Sequence, residues 1–362
     1  MKVSALTPAL LGLVASVQAA SSIEYSTVSG YFLQDETATD PSTFDYTAVN
    51  FGLINRTYPA DQKLKHNGKD LTQWERFYNQ VQELNKKAGK DVEYKVLFLG
   101  RHGEGYHNAA ESFYGTPAWN CYWAELDGNS TATWSDAALT PNGVNQALIA
   151  HDFWQKEIKE QRIHTPDNYY VSPLTRTLQT ANYTFTGLQL PHGSAPFKPV
   201  IKELLRESIS IHTCDHRHSK TYIKDLFPSW RIEDGFAEND QLWNGVTEET
   251  SAAQDIRSTT VLGEIFFSSS GKDDTFVSVT SHSGEIGSIL DVVGHRTFSL
   301  NTGAVIPVLV KAEKVETNAR AVVTSATWTV NPHCTVPPVT SVSACVCPSS
   351  AAPVTTPLVT GF

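Results

Sequence analysis

The sequence predicts an α/β fold, a three-layer sandwich in which helices cover both faces of a mostly parallel central sheet. The run EYKVLFLG at 93–100 has the near-continuous hydrophobicity of a strand that is buried on both faces. Similar runs of strand-forming residues occur at 168–172, 275–281 and 304–310. Helical patterns separate these runs, and strands that alternate with helices indicate parallel pairing. Pro307 places part of the last run at a sheet edge or a bulge.

The helices are predicted from the spacing of apolar residues. In segment 70–89 apolar side chains recur every three or four residues, with Asp70 as a candidate cap and Gly89 as a candidate stop. Comparable amphipathic patterns span 142–160 and 248–269. Such stripes are typical of core packing rather than of a ligand site. We expect the turn-rich residues before the first helix to form an irregular arm that packs on the domain through Tyr31, Phe32, Phe44 and Phe51.

The composition excludes several classes of protein. Of the 362 residues, 40% are hydrophobic and 18% are charged, so the chain is neither a disordered polyampholyte nor a long coiled coil. The formal net charge of -10 disfavours nucleic acid as a partner, because nucleic-acid binding depends on cationic contacts to phosphates. Beyond the N-terminus, no apolar stretch is long enough to span a bilayer.

The N-terminus and three sequons favour export. Residues 1–20 have the pattern of a secretory signal peptide, with a basic start at Lys2, an apolar stretch and small residues at the end. A buried N-terminal helix is the alternative. Sequons for N-glycosylation occur at Asn55, Asn129 and Asn182. We therefore expect a secreted glycoprotein.

The rest of the chain divides into three parts. These are an arm and helix at 21–92, a main domain at 93–335 and a tail at 336–362. The tail is rich in Ser, Thr and Pro and has no charged residue, which is typical of a low-complexity, O-glycosylated segment. A glycolipid-anchor signal is disfavoured, because the closing apolar run is short and interrupted.

The chain has five cysteines, so at least one thiol has no partner within the chain. An oxidising compartment would permit disulfides. We expect a disulfide between Cys121 and Cys214, because both lie in segments inserted between core elements of the main domain. The alternative partners are Cys334 and the tail cysteines, Cys345 and Cys347.

Two arginines and two histidines follow predicted strands. Arg101 and His102 come directly after the first buried strand, Arg176 begins a helix after the second, and His282 follows another strand. Because parallel strands deliver such residues to one edge of the sheet, we expect them to lie together. Two cations and two imidazoles favour an anion with several oxygens, which indicates a phosphate group.

These segments resemble the histidine phosphatase superfamily, in its phosphoglycerate-mutase-like branch. RHGEGYHN is similar to the family's Arg-His-Gly, which is followed after four residues by Asn, here Asn108. The segments 138–147 and 172–181 resemble Leu-Thr-x-x-Gly-x-x-Gln-Ala and Ser-Pro-Leu-x-Arg-x-x-Gln-Thr-Ala, and 281–286 resembles Ser-His-x-Gly. Four motifs in the family's order are a far more specific signal than one.

The resemblance implies catalysis through a phosphohistidine, with no metal or other cofactor. His102 would attack phosphorus as a neutral imidazole, while Arg101 and Arg176 disfavour its protonation and bind phosphoryl oxygens. The other contacts to the phosphoryl group would come from Asn108, His282 and the backbone amides that begin at Ser283.

The proton donor for the leaving alkoxide is predicted from the same resemblance. The mutase branch takes this acid from an insert between the second arginine and the second histidine, and Glu207 is the matching residue. Glu104, which lies within the first motif, is the competing candidate. General acid catalysis of this kind contributes about 10²–10⁴ in rate.

The same insert contains a histidine-rich stretch at 212–218. Histidines two residues apart could line one side of a strand and bind a metal. The interpretation that we favour is a loop over the substrate, with Glu104, Arg217 and His218 as candidate pocket residues. The stretch from Glu207 to this loop most resembles a subgroup of phosphomutase-like phosphatases.

The departures from a second branch also narrow the choice. Phytase-like acid phosphatases have a second Arg and a Pro in the first motif and an acidic residue after the second histidine, whereas this chain has Gly105, His107 and Ser283 at those positions. The sequence therefore predicts a secreted phosphomonoesterase acting on a small phosphorylated substrate. The alternatives are a phosphomutase that uses the same site and a catalytically idle, glycosylated surface protein. Substrate, pH optimum and oligomeric state stay open.

Overall fold

A seven-stranded mixed sheet organises the protein. The structure, a computed structural model, describes residues 20–64, 69–267, 274–317, 327–339, 345–349 and 352–359. The strands are β1 (Ala20–Thr27), β2 (Val92–Arg101), β3 (Asn168–Val171), β4 (Val200–Ile201), β5 (Arg231–Ile232), β6 (Glu248–Glu249), β7 (Phe276–Ser281), β8 (Val305–Thr317) and β9 (Trp328–Thr329). The large sheet has the order β1-β8-β2-β7-β3-β4-β5, and β6 pairs with β9 in a small second sheet.

The sheet is mostly parallel, as predicted. Strands β2, β7, β3, β4 and β5 pair in parallel, whereas β8 is antiparallel to both β1 and β2. Pro307 lies opposite Phe98 of β2, beyond the point where β1 stops pairing with β8. The missing N–H of the proline therefore interrupts no ladder on that side, in agreement with the predicted edge position.

Helices cover both faces of the sheet. They are α1 (Gln73–Lys87), α2 (Tyr106–Tyr114), α3 (Thr116–Cys121), α4 (Pro141–Glu160), α5 (Thr175–Phe185), α6 (Lys220–Leu226), α7 (Ser251–Ile265) and α8 (Ser283–Val292). Alternate residues of β2 face opposite sides. Val96 and Phe98 pack against side chains of α1, α4 and α5, whereas Leu97 and Leu99 pack against α7 and α8. The predicted three-layer sandwich is confirmed.

The N-cap of helix α1 lies two residues after the predicted cap, Asp70. Thr72 is the N-cap, accepting a hydrogen bond from the backbone N–H of Glu75, whose carboxylate accepts in turn from the Thr72 N–H. This reciprocal pair satisfies two helix-terminal donors, which Asp70 is too far away to do.

The segment before α1 is more ordered than an irregular arm. Its first described residues form the edge strand β1, at a place where no strand is predicted from the sequence. Predicted residues of the arm pack into the core, where the ring of Phe51 lies 5.5 Å from that of Phe98 and 4.9 Å from that of Trp154, between centroids. The proposed signal peptide at 1–20 lies, except for Ala20, outside the described residues.

The predicted pairing of Cys121 with Cys214 is wrong. Cys121 is bonded to Cys345 and Cys334 to Cys347, while Cys214 is a buried free thiol. Cys214 packs in an apolar cluster, whereas Cys121 at the end of α3 meets the C-terminal segment, where its carbonyl accepts from the Cys334 N–H at 2.9 Å. The tail therefore returns to the main domain.

Other contacts of the tail point the same way. The backbone groups of His333 and the tail residue Val354 exchange two hydrogen bonds, and the buried His333 ring lies 2.7 Å from the carboxyl group of Glu125. The described parts of 336–362 are thus attached to the domain at several points. Among the described residues, no helix combines the length and the apolarity needed to cross a membrane.

Peptide mapping without reduction should link Cys121 to Cys345 and Cys334 to Cys347 and leave Cys214 alkylatable after denaturation. The Cys345→Ser variant should lower the free energy of unfolding by up to about 5 kcal/mol, because the first disulfide closes a long loop. Cys214→Ser, which breaks no disulfide, is the control in the same denaturation assay. A peptide that joins Cys121 to Cys214 would contradict this connectivity.

Candidate active site

Three neighbouring strands deliver the predicted site residues to one edge of the sheet. Arg101 ends β2 and His102 follows it, β3 leads to Arg176 on α5, and His282 follows β7. Because β7 lies between β2 and β3 and is parallel to both, their carboxyl ends meet. The rings of His102 and His282 have centroids 5.1 Å apart, and Arg176 Nε donates to His282 Nδ1 at 3.2 Å. The predicted juxtaposition is present.

The surroundings of His102 favour a neutral imidazole with one reactive nitrogen. Its Nδ1 lies 2.7 Å from the Gly103 carbonyl oxygen, which can only accept, so Nδ1 carries the proton and Nε2 keeps its lone pair. The ring is buried. Burial holds the pKa of His102 well below 6.5, and the charges of Arg176 and Arg101 lower it further.

The nearest hydrogen-bond acceptors of the two arginines are neutral carbonyl oxygens. Arg176 Nη1 donates to the Cys214 carbonyl at 2.6 Å, and Arg101 Nη1 donates to the Leu300 carbonyl at 2.7 Å. Within the described part of the chain, the buried Arg101 Nε has no hydrogen-bond partner. Asp215 is the carboxylate near Arg176, at 3.6 Å from Nη2. Both guanidinium groups therefore keep capacity for an incoming anion.

His282 is already occupied on both nitrogens. Nδ1 accepts from Arg176, so Nε2 carries the proton, and Nε2 lies 2.8 Å from the hydroxyl of Ser172. Burial, followed by the charge of Arg176, lowers the pKa of His282 well below 6.5. In this arrangement His282 orients Arg176. A direct contact between His282 and phosphate, as predicted, would require the ring to give up its hydrogen bond to Arg176 or to Ser172.

Close contact between two glycines shapes the loop that follows His102. A Cβ on Gly103 would lie 2.3 Å from the Gly143 carbonyl oxygen, and one on Gly143 would lie 2.1 Å from the Glu104 carbonyl oxygen. Neither position has room for a larger residue. The glycine of the second motif therefore presses α4 against the loop that positions His102.

Glu104 and Asn108 both stabilise this loop. Glu104 accepts from the Thr140 hydroxyl at 2.6 Å and from Asn142 Nδ2 at 3.2 Å, so its carboxylate lies at the start of α4. Both oxygens of Glu104 are thus engaged at the helix terminus, and its place in the substrate pocket stays a prediction. Asn108 Oδ1 accepts from the Gly105 N–H at 3.0 Å, which caps α2.

Glu207 lies beside the site, where the charges of Arg176 and Arg101 act on its carboxyl group. Its partly buried carboxylate accepts from the Ser208 N–H at 2.9 Å and from the Ser283 hydroxyl at 3.3 Å. Burial raises the pKa of Glu207, and the charge of Asp215 adds to the effect. A carboxyl group in these surroundings holds its proton more readily than a solvated one. Contact with Ser283 places it at the start of α8, directly after His282.

Arg217 lines a groove beside the site, as a pocket residue would, but its guanidinium is bound within the protein. Its buried guanidinium bonds the Glu203 carboxylate at 2.7 Å and the carbonyls of four neighbouring residues, His218, Ala237, Glu238 and Asn239. With its donors engaged in this way, Arg217 joins the insert to residues 237–239 and has a structural role.

A groove of about 920 Å³ opens beside the site, and its described walls contain neither His102 nor His282. Tyr106, which begins α2, and Thr175, which precedes Arg176, both line it. His218 lies here as predicted, with Nδ1 2.5 Å from Asp136 Oδ2 and its ring stacked on Tyr222 at 3.9 Å between centroids. The hydrogen bond to Asp136 raises the pKa of His218.

The stretch 212–218 does not form a free metal site. Ligand atoms of His212, Cys214 and Asp215 lie within 4.8 Å of one another. However, Asp215 accepts from the Ser210 hydroxyl at 2.6 Å, and Arg176 lies beside it. Burial raises the pKa of the Cys214 thiol well above 9.0, which disfavours the thiolate that a metal requires. The favoured loop interpretation agrees with these contacts.

Comparisons with known proteins agree with the geometry. A family model described as "Histidine phosphatase superfamily (branch 1)" matches residues 122–300. A protein of Arthroderma benhamiae, named probable phosphoglycerate mutase, is 51% identical over 80% of this chain and 85% of its own. The chain belongs to the histidine phosphatase superfamily. Phosphomutase-like protein 3 of Candida albicans is 43% identical over 62% of this chain and 68% of its own. A probable phosphoglycerate mutase of Saccharomyces cerevisiae is 33% identical over 72% of this chain and 90% of its own.

Three residues of this histidine phosphatase were not assigned roles by sequence. Asp136 accepts from the Thr175 N–H at 2.8 Å, and so fixes the start of the helix that carries Arg176. His107 is buried with its ring 5.4 Å from that of His102, between centroids. Ser172 is the third residue. His107 and Ser172 lie within the first and third family motifs, and Asp136 lies two residues before the second. Their nearness to these motifs is the sequence feature from which a role in the site could have been predicted.

The leaving-group dependence of Glu207→Gln distinguishes the two candidate acids in this histidine phosphatase. The variant should slow alkyl phosphates by about 10²–10⁴, because their alkoxides need a proton, and should slow p-nitrophenyl phosphate far less. Glu104→Gln is the matched control and should show equal, small effects on both esters. A leaving-group effect that followed Glu104 instead would contradict the assignment. The measurement is kcat for both esters at one pH.

Proposed function

We propose that this histidine phosphatase is a secreted phosphomonoesterase, which hydrolyses phosphate esters through a phosphohistidine. The observation that carries the proposal is the bond between His102 Nδ1 and the Gly103 carbonyl, which leaves Nε2 as a nucleophile near the charges of Arg176 and Arg101. An imidazole kept neutral beside cations is suited to attack on a phosphate that those cations bind.

The first half-reaction transfers the phosphoryl group to the enzyme. His102 Nε2 attacks phosphorus, the P–N bond forms, and the bond to the ester oxygen breaks. Arg101 and Arg176 stabilise the charge on the phosphoryl oxygens. Glu207 gives its proton to the departing alkoxide, so a neutral alcohol leaves.

The second half-reaction restores the enzyme. Glu207, now a carboxylate, accepts a proton from water as the water oxygen attacks phosphorus. The P–N bond breaks, phosphate leaves, and His102 Nε2 regains its lone pair. The carboxyl group thus acts as acid and then as base, and the proton balance closes without a metal ion.

The residues of the adjoining groove favour hydrolysis of esters of neutral alcohols over phosphoglycerate mutation. A mutase must bind the substrate carboxylate as well as the phosphate. Among the described residues that line the groove, Arg217 has its guanidinium committed to Glu203 and backbone carbonyls, and His218 is paired with Asp136. Asp127 adds a further negative group. Phosphomutase activity is the second candidate function, because two relatives are named probable phosphoglycerate mutases.

Export and glycosylation form part of the same proposal. Two disulfides suit an oxidising compartment. The side chains of Asn55 and Asn129 are exposed and that of Asn182 is partly exposed, as acceptors for glycans must be. Expression with the native N-terminus should place glycosylated enzyme in the medium, with a mass that falls on treatment with an N-glycosidase. Retention of an unglycosylated chain in the cell would oppose this part.

A transfer assay tests hydrolysis against mutation. Wild-type enzyme should release inorganic phosphate from alkyl and aryl monoesters, and acid-labile, base-stable phosphate should be trapped on His102 after rapid quenching. The His102→Ala variant should lose at least about 10³-fold in kcat. Interconversion of phosphoglycerates faster than phosphate release would support the mutase instead. No turnover of any monoester would overturn the proposal.

The pH profile should peak on the acid side of neutrality. Because the pKa of His102 is lowered, its neutral form persists well below pH 6.5, and because the pKa of Glu207 is raised, its acid form persists above pH 4.5. The value of kcat/KM for an alkyl ester should therefore rise as His102 deprotonates and fall as Glu207 loses its proton. Glu207→Gln should remove the alkaline limb. A wild-type maximum above pH 8 would contradict these protonation states.

A further inference from the structure

Behind Glu207 lies a buried polar network that the catalytic steps do not use. Its centre is Arg257 on α7, whose side chain is 6% exposed. The guanidinium forms a two-pronged ion pair with Glu249, Nε to Oε1 at 2.9 Å and Nη2 to Oε2 at 2.8 Å. Nη1 lies 3.0 Å from Oε2 of the buried Glu285 on α8. The arginine is thus fixed by two carboxylates from different elements.

The remaining donors of Arg257 hold the segment that carries the proposed acid. Nη1 donates to the carbonyls of Leu204 and Arg206 at 2.8 and 2.9 Å, and Nη2 donates to the carbonyl of Glu207 at 3.2 Å. Three carbonyls within four residues therefore converge on one rigid, planar group. A lysine has no matching fork and could not hold all three.

A second tether connects the same segment to α8. The Ser208 hydroxyl donates to Gln254 Oε1 at 2.6 Å, and Gln254 Nε2 donates to Glu285 Oε2 at 3.3 Å. Ser258 donates to the other oxygen of Glu285 at 2.9 Å. Because Glu285 lies on the first turn of α8, whose N-cap is His282, both tethers relate the acid segment to the helix of a catalytic histidine.

We propose that Arg257 is the positioning residue that sets the Glu207 carboxyl group against the leaving-group oxygen. Arg257 touches no substrate and acts through the backbone of 204–207 and through Glu285. A proton donor must lie within hydrogen-bond reach of the ester oxygen, and small displacements are costly, about 10²-fold for 1 Å. The inference rests on the proposed function, because it assigns the acid of that same reaction.

The consequence is specific to proton transfer. Loss of the Arg257 contacts displaces Glu207, while His102, Arg101 and Arg176 are positioned by other contacts. Esters that need protonation of the leaving oxygen should therefore suffer, while an aryl ester with an acidic leaving group should be spared. A merely structural arginine would affect both esters alike.

The test measures kcat and KM of Arg257→Gln with glycerol 2-phosphate and with p-nitrophenyl phosphate. We expect kcat for the alkyl ester to fall about 10–100-fold and kcat for the aryl ester less than about 3-fold. In the Glu207→Gln background the same substitution should have almost no further leaving-group effect, since the group it positions is gone. Arg257→Lys should restore part of the alkyl-ester rate.

Arg217→Gln is the matched control, because Arg217 is also a buried arginine that holds a glutamate and several carbonyls but does not contact Glu207. It should lower the midpoint of thermal unfolding by a similar amount, with equal effects on the two esters. If Arg257→Gln does not fold, Gln254→Ala removes the second tether without removing a charge. That variant should show the same preference for the aryl ester.

The outcomes separate the two proposals. Equal losses on both esters, or a leaving-group effect that persists undiminished in Glu207→Gln, would overturn the role of Arg257. Failure of the wild-type enzyme to hydrolyse either ester would instead overturn the proposed function. Wild-type hydrolysis with an Arg257→Gln profile that parallels Glu207→Gln would support the positioning role.

Discussion

The hydrogen bond between His102 Nδ1 and the Gly103 carbonyl determines which nitrogen of the site can react, and the surrounding structure maintains it. The carbonyl stays in reach because the loop after β2 is pressed between α4 and the sheet, through a contact that only glycines at 103 and 143 permit. Glu104 stabilises the same contact, because its carboxylate accepts a hydrogen bond from Thr140, the N-cap of α4. Burial then keeps water from competing for Nδ1. The backbone conformation of the loop at Gly103 therefore determines the tautomer of His102.

The same burial explains the charge distribution around the nucleophile. Three imidazoles, those of His102, His107 and His282, have pKa values held well below 6.5, because burial and the nearby guanidinium groups oppose protonation. Positive charge in the site thus comes from Arg101 and Arg176. A bound phosphate dianion would add counter-charge to that of Asp215, so phosphate binding and a neutral nucleophile are compatible. Glu207 is the adjacent group whose environment favours the acid form.

Sequence patterns predicted the features that depend on residues close together in the chain. A continuous apolar run predicts strand β2, which ends at Arg101. The positions of the motifs after parallel strands predict that the candidate catalytic residues lie at one edge of the sheet. The role of Arg217 and the cysteine pairing depend on which distant segments meet, and no local pattern records that. A histidine-rich, arginine-bearing loop looks the same in sequence whether its guanidinium faces a ligand or, as here, residues 237–239. Strand β1 was missed because its single partner, β8, lies almost at the other end of the chain.

The partners of the buried arginines distinguish structural from catalytic roles. Arg206, Arg217 and Arg257 each have a carboxylate within 3.1 Å and further carbonyls, so their charge is neutralised inside the protein. Removing one partner of such a pair leaves an uncompensated buried charge and destabilises the fold. Buried arginines with carboxylate partners are therefore expected to have structural roles. By contrast, Arg101 and Arg176 are held mainly by carbonyls and an imidazole. These neutral acceptors orient a guanidinium without cancelling its charge. Asp215, 3.6 Å from Arg176 Nη2, offsets this charge only in part, so a bound phosphate would supply further counter-charge to both arginines.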